Sequence, residues 1–104
     1  MTTVTPMPRR LDATEADIRR IAKRSECVAF TKHASMRMNE RGYTQTQVLS
    51  CIQVGNFVDG PTLDSDKQKG HKARMQHYCA GESIEVVLKL VEQDNELIIV
   101  ITVI

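Results

Sequence analysis

The sequence predicts an α+β domain in which N-terminal helices pack on a three- to four-stranded, mainly antiparallel sheet. Three observations predict it. In the first half, apolar residues recur at helical spacing: Ile18, Ile21 and Ala22, then Ala34 and Met38, then Val48, Leu49 and Ile52. In the second half the period changes to that of strands, first as the alternation of His71 to Cys79, then as the β-branched runs Ile84–Val91 and Leu97–Ile104. The order, helices before strands rather than the two alternating, favours an antiparallel sheet with segregated helices.

Residues 1–11 contain two prolines and no apolar stretch, so they read as a flexible leader and not as a secretory signal. Residues 12–104 then form one domain. The first helix should open around Thr14 as N-cap, with Glu15 and Asp17 in the acid-favouring first turn. Its apolar side is Ile18, Ile21 and Ala22, which leaves Arg19, Arg20, Lys23 and Arg24 as a basic face. Cys27 to Thr31 is short, apolar and β-leaning, an edge strand or an extended approach to the next helix.

That second helix carries His33, Arg37 and Arg41 and stops at Gly42, a residue suited to the left-handed C′ position. Thr44 and Gln47 then form a capping box for a third helix, which ends at Gly55. The segment from Asp59-Gly-Pro to Gly70 reads as turn-rich. In the following strand Lys72, Arg74, Gln76 and Tyr78 share one face, while His71, His77, Ala73, Met75 and Cys79 share the other. Gln93 to Asn95 reads as a hairpin turn between the last two strands. The last strand is apolar on both faces, as a central strand is.

At 104 residues and 41% hydrophobic, the chain suits a single small core, and no apolar run reaches the roughly 18 residues needed to span a bilayer. Three widely spaced cysteines, an odd number, argue against a disulfide framework and for a reducing compartment, hence the cytoplasm. Residues 1–50 hold nine Lys/Arg and five Asp/Glu, and residues 51–104 hold five and eight, so a net +4 half precedes a net −3 half. Such asymmetry marks a side that faces a polyanion. No cofactor is expected: there is no Gly-rich phosphate loop, no serine-nucleophile motif, no paired-carboxylate motif and no C-x-x-C or H-x-x-x-H pair to hold a metal. Met36, Met38 and Met75 read as core or cleft lining.

The most informative segment runs from His33 to Arg41. It spaces an imidazole and two guanidiniums four residues apart, so each lies about 40° from the last around a helix. Ala34 and Met38 follow at about 100° and 140°, which places the basic stripe on the border of a buried face. Internal transesterification of RNA needs a base for the 2′-hydroxyl proton, an acid for the leaving oxygen and cations for the charge of the transition state. His33 is the natural acid/base group because its ordinary pKa lies nearest neutrality. Arg37 and Arg41 grip phosphate oxygens with planar, permanently charged forks, and no metal is required. Lys72, Arg74 and Tyr78 form a second cluster suited to a nucleic-acid backbone and a stacked base. Lys32 and His77 complete the RNA-binding set, although pattern alone turns His77 to the other face unless a bulge reverses it.

The run Phe30-Thr-Lys-His33-Ala-x-x-Arg37-Met-x-x-Arg41-Gly42-Tyr-Thr, together with Val48, Gly55 and the ending Ile99-Val-Ile-Thr-Val103, resembles the bacterial domain-of-unknown-function family 4258. The resemblance covers residues 28–104. It implies a RelE/barnase-like fold, shared by many metal-independent ribonuclease toxins of toxin–antitoxin and contact-inhibition systems. His33, Arg37 and Arg41 match the helix motif residue for residue, and Arg74 matches a basic strand position. The chain departs from the pattern at Ile104, where relatives often carry an aromatic residue or continue. The expectation is therefore a metal-independent endoribonuclease toxin, with His33, Arg37, Arg41 and Arg74 as its catalytic set. Its expected partners are RNA, as mRNA or on the ribosome, and a cognate antitoxin protein. The alternative is a non-catalytic RNA- or protein-binding modulator of the same fold, of phage or mobile-element origin.

Overall fold

The computed structural model describes residues 11–64, 70–79, 81–92 and 96–104. Residues 1–10 of the expected leader and the expected turn at 93–95 lie outside them. The elements in chain order are α1 (Leu11–Ala22), a short 3₁₀ turn (Ser25–Cys27), β1 (Val28–Phe30), α2 (Lys32–Arg41), α3 (Gln45–Val54), β2 (Asn56–Asp64), β3 (Gly70–Cys79), β4 (Glu82–Val91) and β5 (Leu97–Val103).

The sheet has five strands in the order β1-β5-β4-β3-β2, one more than the upper end of the expectation. Both extra features have a physical reason. The first part of the segment read as turn-rich, residues 59–64, belongs to strand β2, antiparallel to β3; residues 65–69 lie outside the described residues. Its Gly60 and Pro61 are tolerated because β2 is an edge strand, where a missing N–H costs no ladder bond. The run from Cys27 is strand β1, and it pairs parallel to β5, Val28 opposite Ile98 and Phe30 opposite Val100. The helices are therefore not all placed before the sheet: β1 lies between α1 and α2 and makes the last strand, β5, a central one.

Local chemistry explains the helix boundaries. Thr31 caps α2 by accepting from the Ala34 N–H at 3.0 Å, and Gly42 ends it at φ +74°, a left-handed C-cap. Thr44 and Gln47 form the expected reciprocal box at the start of α3. The start of α1 departs from expectation. The helix already runs from Leu11, and Thr14, read as its N-cap, lies inside it and is buried.

Helices α1 and α3 cover one face of the sheet. Ile18, Ile21 and Ala22 of α1 and Val48, Cys51 and Ile52 of α3 are buried with Ala73, Met75, Ile84, Val86, Leu88, Leu90, Ile98 and Val100. Each fully buried aliphatic side chain of this kind contributes roughly 1.5–3 kcal/mol of transfer free energy. The helix ends are tied across the layer: Gln53 Nε2 donates to the Ala22 carbonyl at 2.9 Å, and Arg19 donates to the Gly55 carbonyl at 2.7 Å while lying over the Phe57 ring. Arg20 pairs with Asp17 and Glu96, and Arg24 with Glu26. Much of the expected basic face of α1 is thus spent on contacts within the domain. Met38 and Met75 join the core as expected, whereas Met36 is exposed.

The opposite face of the sheet carries no helix among the described residues. On it lie Lys72, Arg74, Gln76 and Tyr78 of β3, in register with Lys89, Val87, Glu85 and Ser83 of β4. Helix α2 takes a third position. It continues past the end of β1 and closes the free edge of β5, with Ala34 and Met38 turned into the core.

Candidate nucleic-acid interface

Two groups of cations flank β5. The first is the α2 stripe. His33 and Arg41 are exposed, and among the described residues neither makes a hydrogen bond or an ion pair. Arg37 differs. Its Nε donates to the Val103 carbonyl at 3.3 Å, and its Nη1 lies 3.5 Å from the Glu40 carboxylate. Below it, the Thr31 hydroxyl donates to the Ile101 carbonyl at 2.9 Å. β1 stops at Phe30, so these two side chains take over the acceptors of the β5 edge that no strand covers. Arg37 is therefore part clamp, with only its outer nitrogens turned to solvent.

The second group surrounds a cleft of about 420 Å³ on the open sheet face. Lys72 and Arg74 supply its cations, Thr62 and Thr102 its hydroxyls, Asp59 a carboxylate, and Val87, Ile101 and Ala73 its walls. Two irregularities shape it. In β5, Ile101 is the extra residue between the Val100–Leu88 and Thr102–Val87 pairs, a bulge that turns Thr102 to the open face and Val103 into the core. In β2, the register shifts on both sides of Asp59, and Gly60 sits at φ +76°. A Cβ on Gly60 would stand 2.5 Å from the Lys72 carbonyl oxygen, so only glycine lets the β2 backbone approach β3 this closely.

Arg74 carries an unsatisfied buried donor in the cleft. Its Nε is buried with no hydrogen-bond partner, and the nearest carboxylate, Glu85 Oε1, lies 3.8 Å away, too far to accept from it. A buried donor left without an acceptor costs roughly 1–3 kcal/mol, which a bound anion that draws the guanidinium outward would recover. The remaining basic residue, Lys72, is exposed beside it.

The expected site residues are therefore divided. Arg74 and Lys72 line the cleft; His33, Arg37, Arg41, Lys32, Tyr78 and His77 do not. Lys32 is exposed at the start of α2. Tyr78 is 72% exposed on the same face as Arg74, two alternations further along β3. His77 shares its face with Ala73 and Met75, opposite Ile84, so no bulge in β3 brings it to the open side. The link between the two groups is Ile101: it walls the cleft, and its carbonyl anchors Thr31, two residues before His33.

Asp59, Thr62, Thr102 and Glu85 were not singled out from the sequence. The signal available for Asp59 was the Gly-Pro that follows it, which marks a distortion wherever it falls in a strand. Thr102 carried none, because the bulge that re-aims it depends on pairing. Cys51 and Cys27 behave as core residues. Burial pushes the Cys51 thiol up to about 12, with the nearby Glu85 carboxylate adding to the effect, and its Sγ donates to the Ile84 carbonyl. Cys27 is a free thiol packed against the core. Asp17, Glu92 and Glu96 bring carboxylates within 4.8 Å of one another, but Arg20 already pairs with two of them.

The family described as Domain of unknown function (DUF4258) matches residues 30–104, from the end of β1 to the last residue. The chain belongs to this family. Both cation groups fall inside the DUF4258 segment, whereas α1, which supplies Ile18, Ile21 and Ala22 to the core, falls outside it. No curated protein and no solved structure matches the chain. No helix among the described residues is long and apolar enough to cross a membrane.

Proposed function

We propose that this DUF4258 protein binds RNA across the open face of its sheet and cleaves it, without a metal, as a toxin of a bacterial toxin–antitoxin-type system. The observation that carries the reading is the cleft itself. Lys72 and Arg74 converge there with the hydroxyls of Thr62 and Thr102, a donor set that matches the oxygens of a phosphodiester. Tyr78, exposed further along the same strand, offers a ring on which a neighbouring base stacks. Lys32 and Arg41 extend the positive surface along α2.

In the cleavage step the 2′-oxygen attacks the adjacent phosphorus as its proton is withdrawn. The bond to the 5′-oxygen breaks, and that oxygen takes up a proton, leaving a cyclic phosphate and a free 5′-hydroxyl. His33 is the group proposed to carry a proton in this exchange; it stands outside the cleft, on the helix that Thr31 fastens to Ile101, so the step requires RNA that extends from the cleft to α2. Arg74 and Lys72, the two cations that line the cleft, hold the negative charge that builds on the phosphate. A RelE/barnase-like relationship, a cytoplasmic setting and a small antitoxin partner belong to the same reading.

The test is cleavage of single-stranded RNA by the purified protein in the presence of a chelator, beside His33→Ala and Arg74→Ala variants. His33→Ala should bind and fail to cleave; Arg74→Ala should lose both. Equal cleavage by the parent and His33→Ala, or none by either, removes the catalytic half of the proposal. One observation favours a second reading, a non-catalytic RNA-binding modulator: no histidine is among the residues lining the cleft. It predicts no cleavage by the parent, binding that survives His33→Ala, and weaker binding in Arg37→Ala and Arg41→Ala.

A further inference from the structure

The cleft is not a plain anion site. Asp59 sits directly opposite Arg74 in the β2–β3 register and lines the same space. The chain goes to some length to hold it there: the pairing slips on either side of it, and the Gly60 that follows takes a left-handed conformation pressed against the Lys72 backbone. The other nearby carboxylate, Glu85, is engaged with Arg74. The Asp59 carboxylate, by contrast, has no hydrogen bond or ion pair from the described residues.

A carboxylate that makes no ion pair repels an anion bound beside it, so a site built for phosphate alone would gain from its removal. An ionised carboxylate is also an acceptor only, and it binds a ligand by taking hydrogen bonds from it. Size points the same way. At about 420 Å³ the cleft lies within the range of roughly 300–1,000 Å³ typical of small-molecule sites, well beyond the needs of a single phosphate.

We propose that the cleft is a nucleotide-sized site in which Lys72 and Arg74 hold the phosphate while Asp59 accepts a hydrogen bond from a donor group of the same nucleotide. The ligand is thus read as phosphate plus donor. This rests on the RNA-binding reading above and sharpens it to one nucleotide unit. Two groups on a nucleotide have the required chemistry, the ribose 2′-hydroxyl and an exocyclic amine of the base. Because Asp59 is paired directly with Arg74 on the neighbouring strand, the donor and the phosphate are held side by side, and a ligand with only one of them fills half the site.

The experiment is calorimetric or NMR titration of the full chain with inorganic phosphate, CMP, deoxy-CMP and UMP, repeated with Asp59→Ala and Asp59→Asn. A single-stranded RNA oligomer is titrated in parallel. Asp59 is exposed, and thermal melting confirms that the variants fold. For the parent, CMP should bind about tenfold more tightly than inorganic phosphate, as one hydrogen bond to a charged acceptor warrants. In Asp59→Ala the two ligands should move in opposite directions, CMP weakening and inorganic phosphate holding or tightening. A loss with deoxy-CMP assigns the ribose hydroxyl as donor; a loss with UMP, which lacks the exocyclic amine, assigns the base. If Asp59→Ala tightens CMP and phosphate alike, Asp59 only repels and the proposal falls. If the RNA oligomer binds and no mononucleotide does, the nucleotide site falls while RNA binding stands. If neither binds, both readings fall together.

Discussion

Replacing Arg74 by alanine should separate the role of the cleft from the stability of the domain. Its side chain is 43% exposed, and its one ion pair, to Glu85, is long at 3.8 Å. A pair of that kind contributes roughly 0–1 kcal/mol, and deleting it also removes a buried donor that has no acceptor. The melting temperature should therefore move by no more than about 4–8 °C, the shift for about 1 kcal/mol in a domain of this size. Binding should change far more. A charge-assisted hydrogen bond to a phosphate oxygen is worth roughly 1.5–3 kcal/mol, which converts to a loss of affinity of about 10- to 150-fold. One fewer phosphate contact also lowers the slope of log affinity against log salt by about 0.7 for a single strand. The assay is fluorescence anisotropy with a single-stranded RNA oligomer over a salt series, with melting measured alongside. An unchanged affinity and an unchanged slope, in a variant that melts with the parent, would refute the assignment of the cleft as the phosphate site. Should the alanine variant fail to fold, Arg74→Gln keeps the stem and asks the same question.

Three further outcomes follow from the same geometry. Glu85→Gln removes a charge 3.8 Å from Arg74, worth about 1 kcal/mol at the dielectric of water, so RNA should bind about fivefold more tightly in the same anisotropy assay. Gly60→Ala should destabilise more than Gly42→Ala in denaturant unfolding. Both glycines have positive φ, at a cost of roughly 1–2 kcal/mol for any other residue, but only at Gly60 would the new methyl meet backbone, the Lys72 oxygen at 2.5 Å. Equal losses would mean that β2 adjusts freely. Cys51, with its thiol pushed up to about 12 from 9.0, should resist alkylation at pH 8 while Cys27 reacts. The unfolded state loses the Cys51 proton first as pH climbs past 9.0, so stability relative to Cys51→Ala should fall between there and about pH 12.

Much of the fold was legible because local chemistry set it. The caps at Thr31, Gly42, Thr44 and Gly55 involve residues within a few positions of one another, and each stands where its side chain predicts. The central place of β5 was legible from its apolar residues on both faces. The misreadings have one origin. Thr14 looked like a cap and is a buried helical residue, and Asp59-Gly-Pro looked like a turn and is the distorted middle of an edge strand. In both, a local preference yielded to the packing of distant residues, α1 onto α3 and β2 onto β3.

By itself, the sequence determined the periodicities and so the α+β class, the limits of α2 and α3, the family and the cations available for polyanion binding. It also placed Arg74 and Lys72 on one face and His77 on the other, since alternation along a strand needs no partner. Only the tertiary structure decided which of these groups meet. It turned Arg37 toward the β5 edge, set Arg74 opposite Asp59, and used the Ile101 bulge to bring Thr102 to the cleft. Those placements depend on strand register, and register is fixed by the pairing of residues far apart in the chain, where one slipped position sends a side chain to the other face of the sheet.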